Sequence, residues 1–274
     1  MTLFTNIKSF DKSFLLKLWL SLILYQLSVC PVSAQKDTMD IKDYILIINT
    51  YTESFPWSNR LISTATNFVK DDPKLAVYTE HMNMIMIDND SILDQFKDSL
   101  FDRYGSHRPR MLLLLGNSSL ILKDDLRKMW GDIPMVLCAG KDYTGPEHYY
   151  LTKQPIPLSE RVPLAELSQS CNLTYLYANL YIHENVEMMF RTLPRMKRFI
   201  YVGDERFVNQ VNSQEIQEIL RTKHPDVHYT FLSSRDIKKT NQLIDSLNFV
   251  DPRSTGILFS SWFHKRQFAG NMML

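Results

Sequence analysis

Short, continuously apolar runs alternate with longer segments of helical periodicity along most of the chain. Residues 44–48 read Tyr-Ile-Leu-Ile-Ile, which is typical of a strand that is covered on both faces of a parallel sheet. Comparable runs predict strands at 74–78, 111–115 and 134–139, with helical segments between them. This alternation is characteristic of βαβ units. It predicts a first α/β lobe over residues 43–175.

The helices between these strands are predicted from periodicity and capping residues. Leu61, Ile62, Ala65, Phe68 and Val69 are spaced to share one helical face. Ser58 and Ser91 are the predicted N-caps of the first and second helices, because serine hydroxyls accept hydrogen bonds from first-turn N–H groups.

A second α/β pattern follows an irregular stretch. Residues 140–175 contain prolines at 146, 155, 157 and 163, so we expect a long surface excursion there. Strands are then predicted at 198–202, 228–232 and 256–259, with helices at 183–193, 213–221 and 236–247. Three strands are few for a doubly wound sheet. The expectation is a second, truncated lobe over 176–274 and a chain that is a fragment of a longer protein.

The N-terminus has the order of a secretory signal. Lys8, Lys12 and Lys17 precede an apolar run over 18–29, and the small residues 32–34 follow it. The run is short for a membrane span, which needs about 20 apolar residues. Residues 1–34 are therefore predicted to be a signal peptide, with an uncleaved signal anchor as the alternative. The predicted location is the periplasm.

Composition and net charge argue against several classes of function. Apolar residues make up 45% and charged residues 22%, as in ordinary globular domains. A formal net charge of +1 gives no field that would attract nucleic acid. The eight glycines do not form the dinucleotide-binding spacing, so no cofactor is predicted. For Cys138 and Cys171, a disulfide and free buried thiols are both open.

Three partial motifs lack the residue that their chemistry requires. Residues 140–145 have phosphate-loop glycines, but Pro and Glu follow where Lys and Ser or Thr are needed. Residues 183–187 lack the second histidine of a zinc-protease helix, and 116–120 lack the last glycine of a nucleophile elbow. No catalytic residue and no metal site are predicted. A secreted serine hydrolase that uses Ser118 is the weakest alternative.

Candidate ligand-binding residues follow from strand ends. In open α/β sheets, ligands bind outside the carboxyl ends of the strands, and facing rims of two lobes would form a cleft. The loop over 49–58 combines aromatic and polar side chains, although Phe55 and Trp57 could instead pack the loop onto its helix. The predicted ligand-binding residues are Thr50, Tyr51, Trp57, Asn117, Ser118, Asp142, Asp204, Arg206, Ser261 and Trp262.

Three segments carry a family resemblance. Residues 45–51, Ile-Leu-Ile-Ile-Asn-Thr-Tyr, followed by Pro-Trp-Ser at 56–58, resemble the opening of ABC-transporter substrate-binding-like domains of the type I periplasmic-binding-protein fold. Residues 193–204 are similar to the start of that family's second lobe, and 256–262 resemble a later strand and its rim. The resemblance implies two doubly wound lobes that close on a small molecule.

The resemblance also implies a function. Such domains serve as transport binding proteins and as input domains of sensor histidine kinases, and residues 49–51, 56–58 and 260–262 look more like the sensor group. The expected function is a non-catalytic, small-ligand-sensing domain that signals to a membrane-bound kinase module. A solute-binding protein of an ABC transporter is the alternative. A small-molecule ligand and the kinase or transporter are the expected partners, nucleic acid is not, and a homodimer is open.

Overall fold

A computed structural model of the chain describes residues 43–234 and 237–260. The described strands are β1 (Tyr44–Asn49), β2 (Ala76–His81), β3 (Met111–Leu115), β4 (Met135–Ala139), β5 (Tyr143–Thr144), β6 (Val162–Pro163), β7 (Leu173–Tyr177), β8 (Arg198–Val202), β9 (His228–Leu232) and β10 (Thr255–Phe259). The described α-helices are α1 (Pro56–Val69), α2 (Asp90–Tyr104), α3 (Lys123–Trp130), α4 (Glu147–Thr152), α5 (Leu164–Ser170), α6 (Ile182–Thr192), α7 (Phe207–Lys223) and α8 (Ile237–Ser246). Short 3₁₀ helices span Asn117–Leu122, Leu158–Glu160 and Leu247–Phe249.

The first sheet is parallel and has the strand order β2-β1-β3-β4-β7. Its central strands are apolar on both faces, and Leu46, Ile47, Leu112 and Leu114 are fully buried. Burial on both faces requires cover on both sides, which the flanking helices supply. The prediction of an α/β fold with a parallel sheet flanked by helices is therefore confirmed.

The second sheet is parallel with the order β9-β8-β10. One face packs Phe199 and Tyr201 against Val186 of α6 and Ile216 of α7. On the other face, the cluster around Ile200 includes Leu243 of α8. Both sheets belong to one compact unit. The predicted division into two lobes with the type I fold stays a prediction.

The stretch over 140–175 is more ordered than its prolines suggest. It contains α4, α5 and the antiparallel pair β5–β6. Its end forms β7, which pairs with β4 as the fifth strand and crosses the expected boundary at 175. Tyr150, Ile156 and Leu164 are buried, so apolar side chains tie this stretch to the core. The stretch therefore contains regular elements that its prolines did not predict, and its role as an excursion between two lobes stays a prediction.

Helix starts also differ from prediction. Helix α1 begins at Pro56, so Ser58 lies inside its first turn and is buried. Phe68 is 90% exposed, because Val69, four residues after Ala65, continues the buried face instead. The N-cap of α2 is Asn89, whose side-chain oxygen accepts a hydrogen bond from the Ile92 N–H at 3.1 Å.

Three further sequence predictions concern the signal segment, membrane helices and the two cysteines. The predicted signal segment over 1–34, Ser261 and Trp262 lie outside the described residues. Within residues 43–234 and 237–260, no helix has both the length and the hydropathy needed to cross a membrane. Cys138 and Cys171 are both free and buried.

Candidate ligand-binding site

A cavity of about 110 Å³ lies where the loops of the first sheet meet the start of α7. We call it the smaller cavity. Its walls come from the loops that follow β1, β2, β3 and β4, from α4 and the residue after it, and from the beginning of α7. The lining residues are Thr50, Tyr51, Thr52, Phe55, Asn83, Met84, Ile85, Asn117, Ser118, Gly140, Lys141, Tyr150, Lys153, Arg206, Phe207 and Val208. The carboxyl ends of four parallel strands thus converge on one cavity.

A second cavity of about 290 Å³ adjoins the first, and we call it the larger cavity. It is lined by Tyr51, Phe55, Trp57, Gly140, Ala178, Leu180, Ile182, Asn185, Tyr201, Arg206, Val208, Asn212, Leu258, Phe259 and Ser260. Five residues line both cavities and form what we call the shared wall: Tyr51, Phe55, Gly140, Arg206 and Val208. Both sheets therefore contribute to each cavity.

The loop after β1 is shaped by a buried asparagine. The Asn49 side-chain oxygen accepts a hydrogen bond from the Tyr51 N–H at 3.1 Å. Its Nδ2 lies 3.2 Å from the Ser58 hydroxyl oxygen and 2.9 Å from His81 Nδ1. Asn49 thus connects the end of β1, the first turn of α1 and the end of β2. These bonds fix where Tyr51 enters the cavities.

The close approach of two loops beneath the smaller cavity requires a glycine. Gly116 follows β3 with φ +95°, a region that side-chain-bearing residues rarely adopt. A Cβ at this position would lie 2.3 Å from Thr50 Oγ1. The Thr50 hydroxyl itself donates to the Leu115 carbonyl oxygen at 2.8 Å. The Thr50 side chain therefore fixes the two strand ends together.

Three residues of the shared wall form a stack of two rings and a guanidinium group. The Tyr51 and Phe55 rings are stacked with centroids 4.4 Å apart. The Arg206 guanidinium carbon lies 5.3 Å from the Phe55 centroid, within the range of a cation–π contact. The Trp57 ring meets Tyr51 edge-on at 5.5 Å. The stack joins a loop of the first sheet to the start of α7.

Burial raises the pKa of the Tyr51 hydroxyl above its usual value, although the Arg206 charge and a hydrogen bond with Thr50 oppose the shift. The phenol therefore stays protonated at neutral pH. It remains a neutral group in the wall between the cavities.

Lys153 is a buried cation that sequence reasoning missed. Its Nζ donates to the carbonyl oxygens of Met84 and Ile87, both at 2.6 Å, and of Tyr150 at 3.0 Å. The residue directly follows α4 and has φ 60°. Its neighbours Met84 and Ile87 come from the loop after β2, almost 70 residues earlier. No local pattern could have signalled this arrangement.

The predicted residue Asn117 lines the smaller cavity, but its side chain is occupied by backbone groups. Its Nδ2 donates to the carbonyl oxygens of Lys141 and Tyr143 at 2.8 and 2.9 Å. Its Oδ1 accepts from the N–H groups of Gly140 and Lys141 at 2.9 and 3.2 Å. Asn117 therefore shapes the loop after β4, which in turn forms part of the wall.

The other predicted residues divide into three groups. Thr50, Tyr51, Ser118 and Arg206 line the smaller cavity, and Trp57 lines the larger one. Asp204 is not in either lining. It holds Arg206, whose Nε donates to both carboxylate oxygens at 2.8 and 2.9 Å.

Asp142 is exposed and lines neither cavity. Ser261 and Trp262 lie outside the described residues.

The linings do not resemble a metal site. In the described part of the chain, no three His, Cys, Asp or Glu side chains are close enough to hold one ion. No described aspartate or glutamate lines either cavity. Comparison with known proteins adds no assignment, since family models, curated proteins and solved structures gave no match.

Proposed function

We propose that this chain is a non-catalytic domain that binds a small organic molecule between its two sheets and acts as the extracytoplasmic input domain of a sensor histidine kinase. One observation carries the proposal. The smaller cavity lies at the carboxyl ends of four strands of the first sheet and is covered by the start of α7 from the second sheet. This is where α/β proteins bind ligands, because loop backbone and helix N-termini converge there.

The finer proposal is that the two sheets are the two lobes of a type I periplasmic-binding-protein-like domain. The strand orders support it. The first sheet begins β2-β1-β3, and the second is β9-β8-β10. In each sheet, the strand that comes first in the sequence lies between the strands that come second and third. Two sheets of the same winding, facing each other across cavities, are what the resemblance in the sequence implies.

Contacts between loops of the first sheet and α7 or its N-cap support a signal that depends on movement of the two sheets. Lys141, in the loop after β4, pairs with Glu215 of α7 at 2.8 Å. Arg206 covers Phe55 on the shared wall. A ligand that binds one spacing of the sheets better than another shifts the population toward that spacing. This population shift would be the output to a kinase module.

The binding proposal is tested by a thermal-shift screen of small solutes on the purified chain. A ligand at 100 times its Kd adds about 2.7 kcal/mol of stability, which raises Tm by roughly 5–10 °C for a chain of this size. Phe55→Ala should remove the shift, because it opens the shared wall.

Phe68→Ala is the matched control, since it removes the same ring from the exposed side of α1. The proposal is wrong if no solute raises Tm, or if the shift is equal in both variants.

The signalling role needs its own experiment. In membranes that contain the full-length gene product, a ligand from the screen should change phosphorylation of a histidine kinase, and Phe55→Ala should abolish the change. Ligand uptake that depends on the chain would instead favour the transporter alternative. Covalent labelling of Ser118 by a fluorophosphonate would favour the hydrolase alternative. Either result without a phosphorylation change overturns the sensing role.

A further inference from the structure

The larger cavity contains a buried acceptor that has no partner. Asn212 of α7 is only 3% exposed and lines this cavity. Its Oδ1 makes no hydrogen bond with any described residue. Leaving a buried acceptor unsatisfied costs about 1–3 kcal/mol, and most buried polar groups in folded proteins do have a partner. Because Asn212 belongs to the lining of the larger cavity, the partner that the structure points to for this oxygen is a molecule bound there.

The orientation of the Asn212 amide is set by a network that starts at Asp204. The Asp204 carboxylate accepts from Arg206 Nε, and an ionised carboxylate can only accept. Asn209 Nδ2 donates to Asp204 Oδ1 at 2.9 Å. The Asn209 oxygen must therefore point the other way, where it accepts from the hydroxyls of Tyr201 and Ser260, each at 2.9 Å.

The next step determines which Asn212 atom is left over. The single hydroxyl hydrogen of Tyr201 is used on Asn209, so the Tyr201 oxygen can accept only. Asn212 Nδ2 lies 3.4 Å from this oxygen and donates to it. The remaining Asn212 atom is the carbonyl oxygen. The charge of Asp204 thus sets the direction of each bond and leaves an acceptor at the end of the network.

We propose that the larger cavity binds a mostly apolar molecule of about one aromatic ring, which donates an N–H or O–H hydrogen bond to Asn212 Oδ1. This inference deepens the proposed function and rests on it. An engineered apolar cavity of about 150 Å³ binds benzene, so about 290 Å³ admits a ring with a polar substituent. Trp57, Leu180, Ile182 and Leu258 supply apolar walls. A carboxylate or phosphate directed at Asn212 would be rejected, because two acceptors would face each other.

The test uses three probes on the full chain: phenol, toluene and benzoate. Phenol and toluene have almost the same size, but only phenol donates a hydrogen bond. Affinities are measured by ligand-observed NMR titration. In the wild type, phenol should bind at least as tightly as toluene and more tightly than benzoate. In Asn212→Leu, the ratio of phenol affinity to toluene affinity should fall about tenfold, because the buried hydroxyl loses its acceptor.

Two further variants protect this result from a folding artefact. Asn212→Ala should lower the same ratio without adding side-chain volume. Gln214→Leu makes the same kind of change at an exposed site on α7 and should leave the ratio unchanged. Asn212→Leu should unfold at a Tm equal to or above that of the wild type, since it removes an unsatisfied buried acceptor.

The inference is overturned if Asn212→Leu leaves the ratio unchanged, if benzoate binds most tightly, or if none of the three probes binds the wild type. The proposed function fails separately, when the broad solute screen finds no ligand that depends on Phe55. A screen ligand without a phenol preference therefore contradicts only the inference about Asn212.

Discussion

The two cavities share a wall but differ in the charged and polar side chains of their linings. The smaller cavity is lined by the cations Lys141, Lys153 and Arg206. The larger cavity shares only Arg206 among these and has the Asn212 carbonyl oxygen at the end of its network. Because Asp204 holds Arg206 and also directs the bonds through Asn209, one carboxylate influences both linings. Two adjoining cavities can thus prefer different ligand chemistry.

The largest expected effect comes from removing the charge that organises both cavities. Asp204→Asn leaves the Arg206 guanidinium without its carboxylate partner in a mostly buried site. Breaking such a pair costs about 3–5 kcal/mol. Urea denaturation should show this loss.

Asp142→Asn is the matched control, because Asp142 is exposed. Its change should stay within about 0.5 kcal/mol. Equal stabilities of the two variants would contradict the role assigned to Asp204.

A methyl group added next to the smaller cavity tests the close approach of its loops. Gly116→Ala requires a positive φ and puts a Cβ against Thr50 Oγ1. We expect a loss of about 2–3 kcal/mol in the free energy of unfolding, from strain and the clash. Gly140→Ala is the control, since nothing lies within 4 Å of its added Cβ. If both variants unfold at the same urea concentration, the two loops are not packed as described.

The framework of the fold was predictable from local pattern. The strands at 111–115, 198–202 and 228–232 have the predicted bounds. Central strands of a parallel sheet are buried on both faces, so each one is recognisable in the sequence as a continuous apolar run. Strand β7 was missed, because Leu173 and Tyr175 alternate with exposed residues at the edge of the sheet.

The site was predictable only where it follows strand ends. Thr50, Tyr51 and Ser118 come two or three residues after predicted strands, and the rule for α/β sheets identified them. Asn212 could not be found in this way. It is a polar residue on the buried face of α7, and periodicity analysis assigns buried faces to apolar residues. Its hydrogen-bond partner Tyr201 lies on strand β8, so the contact is a tertiary one.

The loss of stability at alkaline pH should show how much the protonated hydroxyl of Tyr51 contributes to the free energy of unfolding. Burial raises the pKa of Tyr51, so its contribution is complete below pH 10, where the hydroxyl is protonated in both states. Above pH 10 the unfolded chain ionises first and stability falls, by at most about 1.4 kcal/mol for each pH unit.

Wild type should therefore lose more stability than Tyr51→Phe between pH 8 and 11 in urea titrations. Tyr44→Phe is a positive control, because burial raises the pKa of Tyr44 to about 12. Parallel pH dependence of wild type and Tyr51→Phe would contradict the burial of this phenol.

The smallest expected change in stability distinguishes the cavities most sharply. Tyr150→Phe removes a hydroxyl that lies 3.0 Å from Thr144 Oγ1 beside the smaller cavity. Tyr201→Phe removes the hydroxyl between Asn209 and Asn212 beside the larger one. Each change should cost about 1 kcal/mol, the net value of a typical hydrogen bond. Only Tyr201→Phe should lower the preference for phenol over toluene, because the Asn212 amide loses the group that orients it. A lower preference in Tyr150→Phe as well would mean that the two cavities respond as one site.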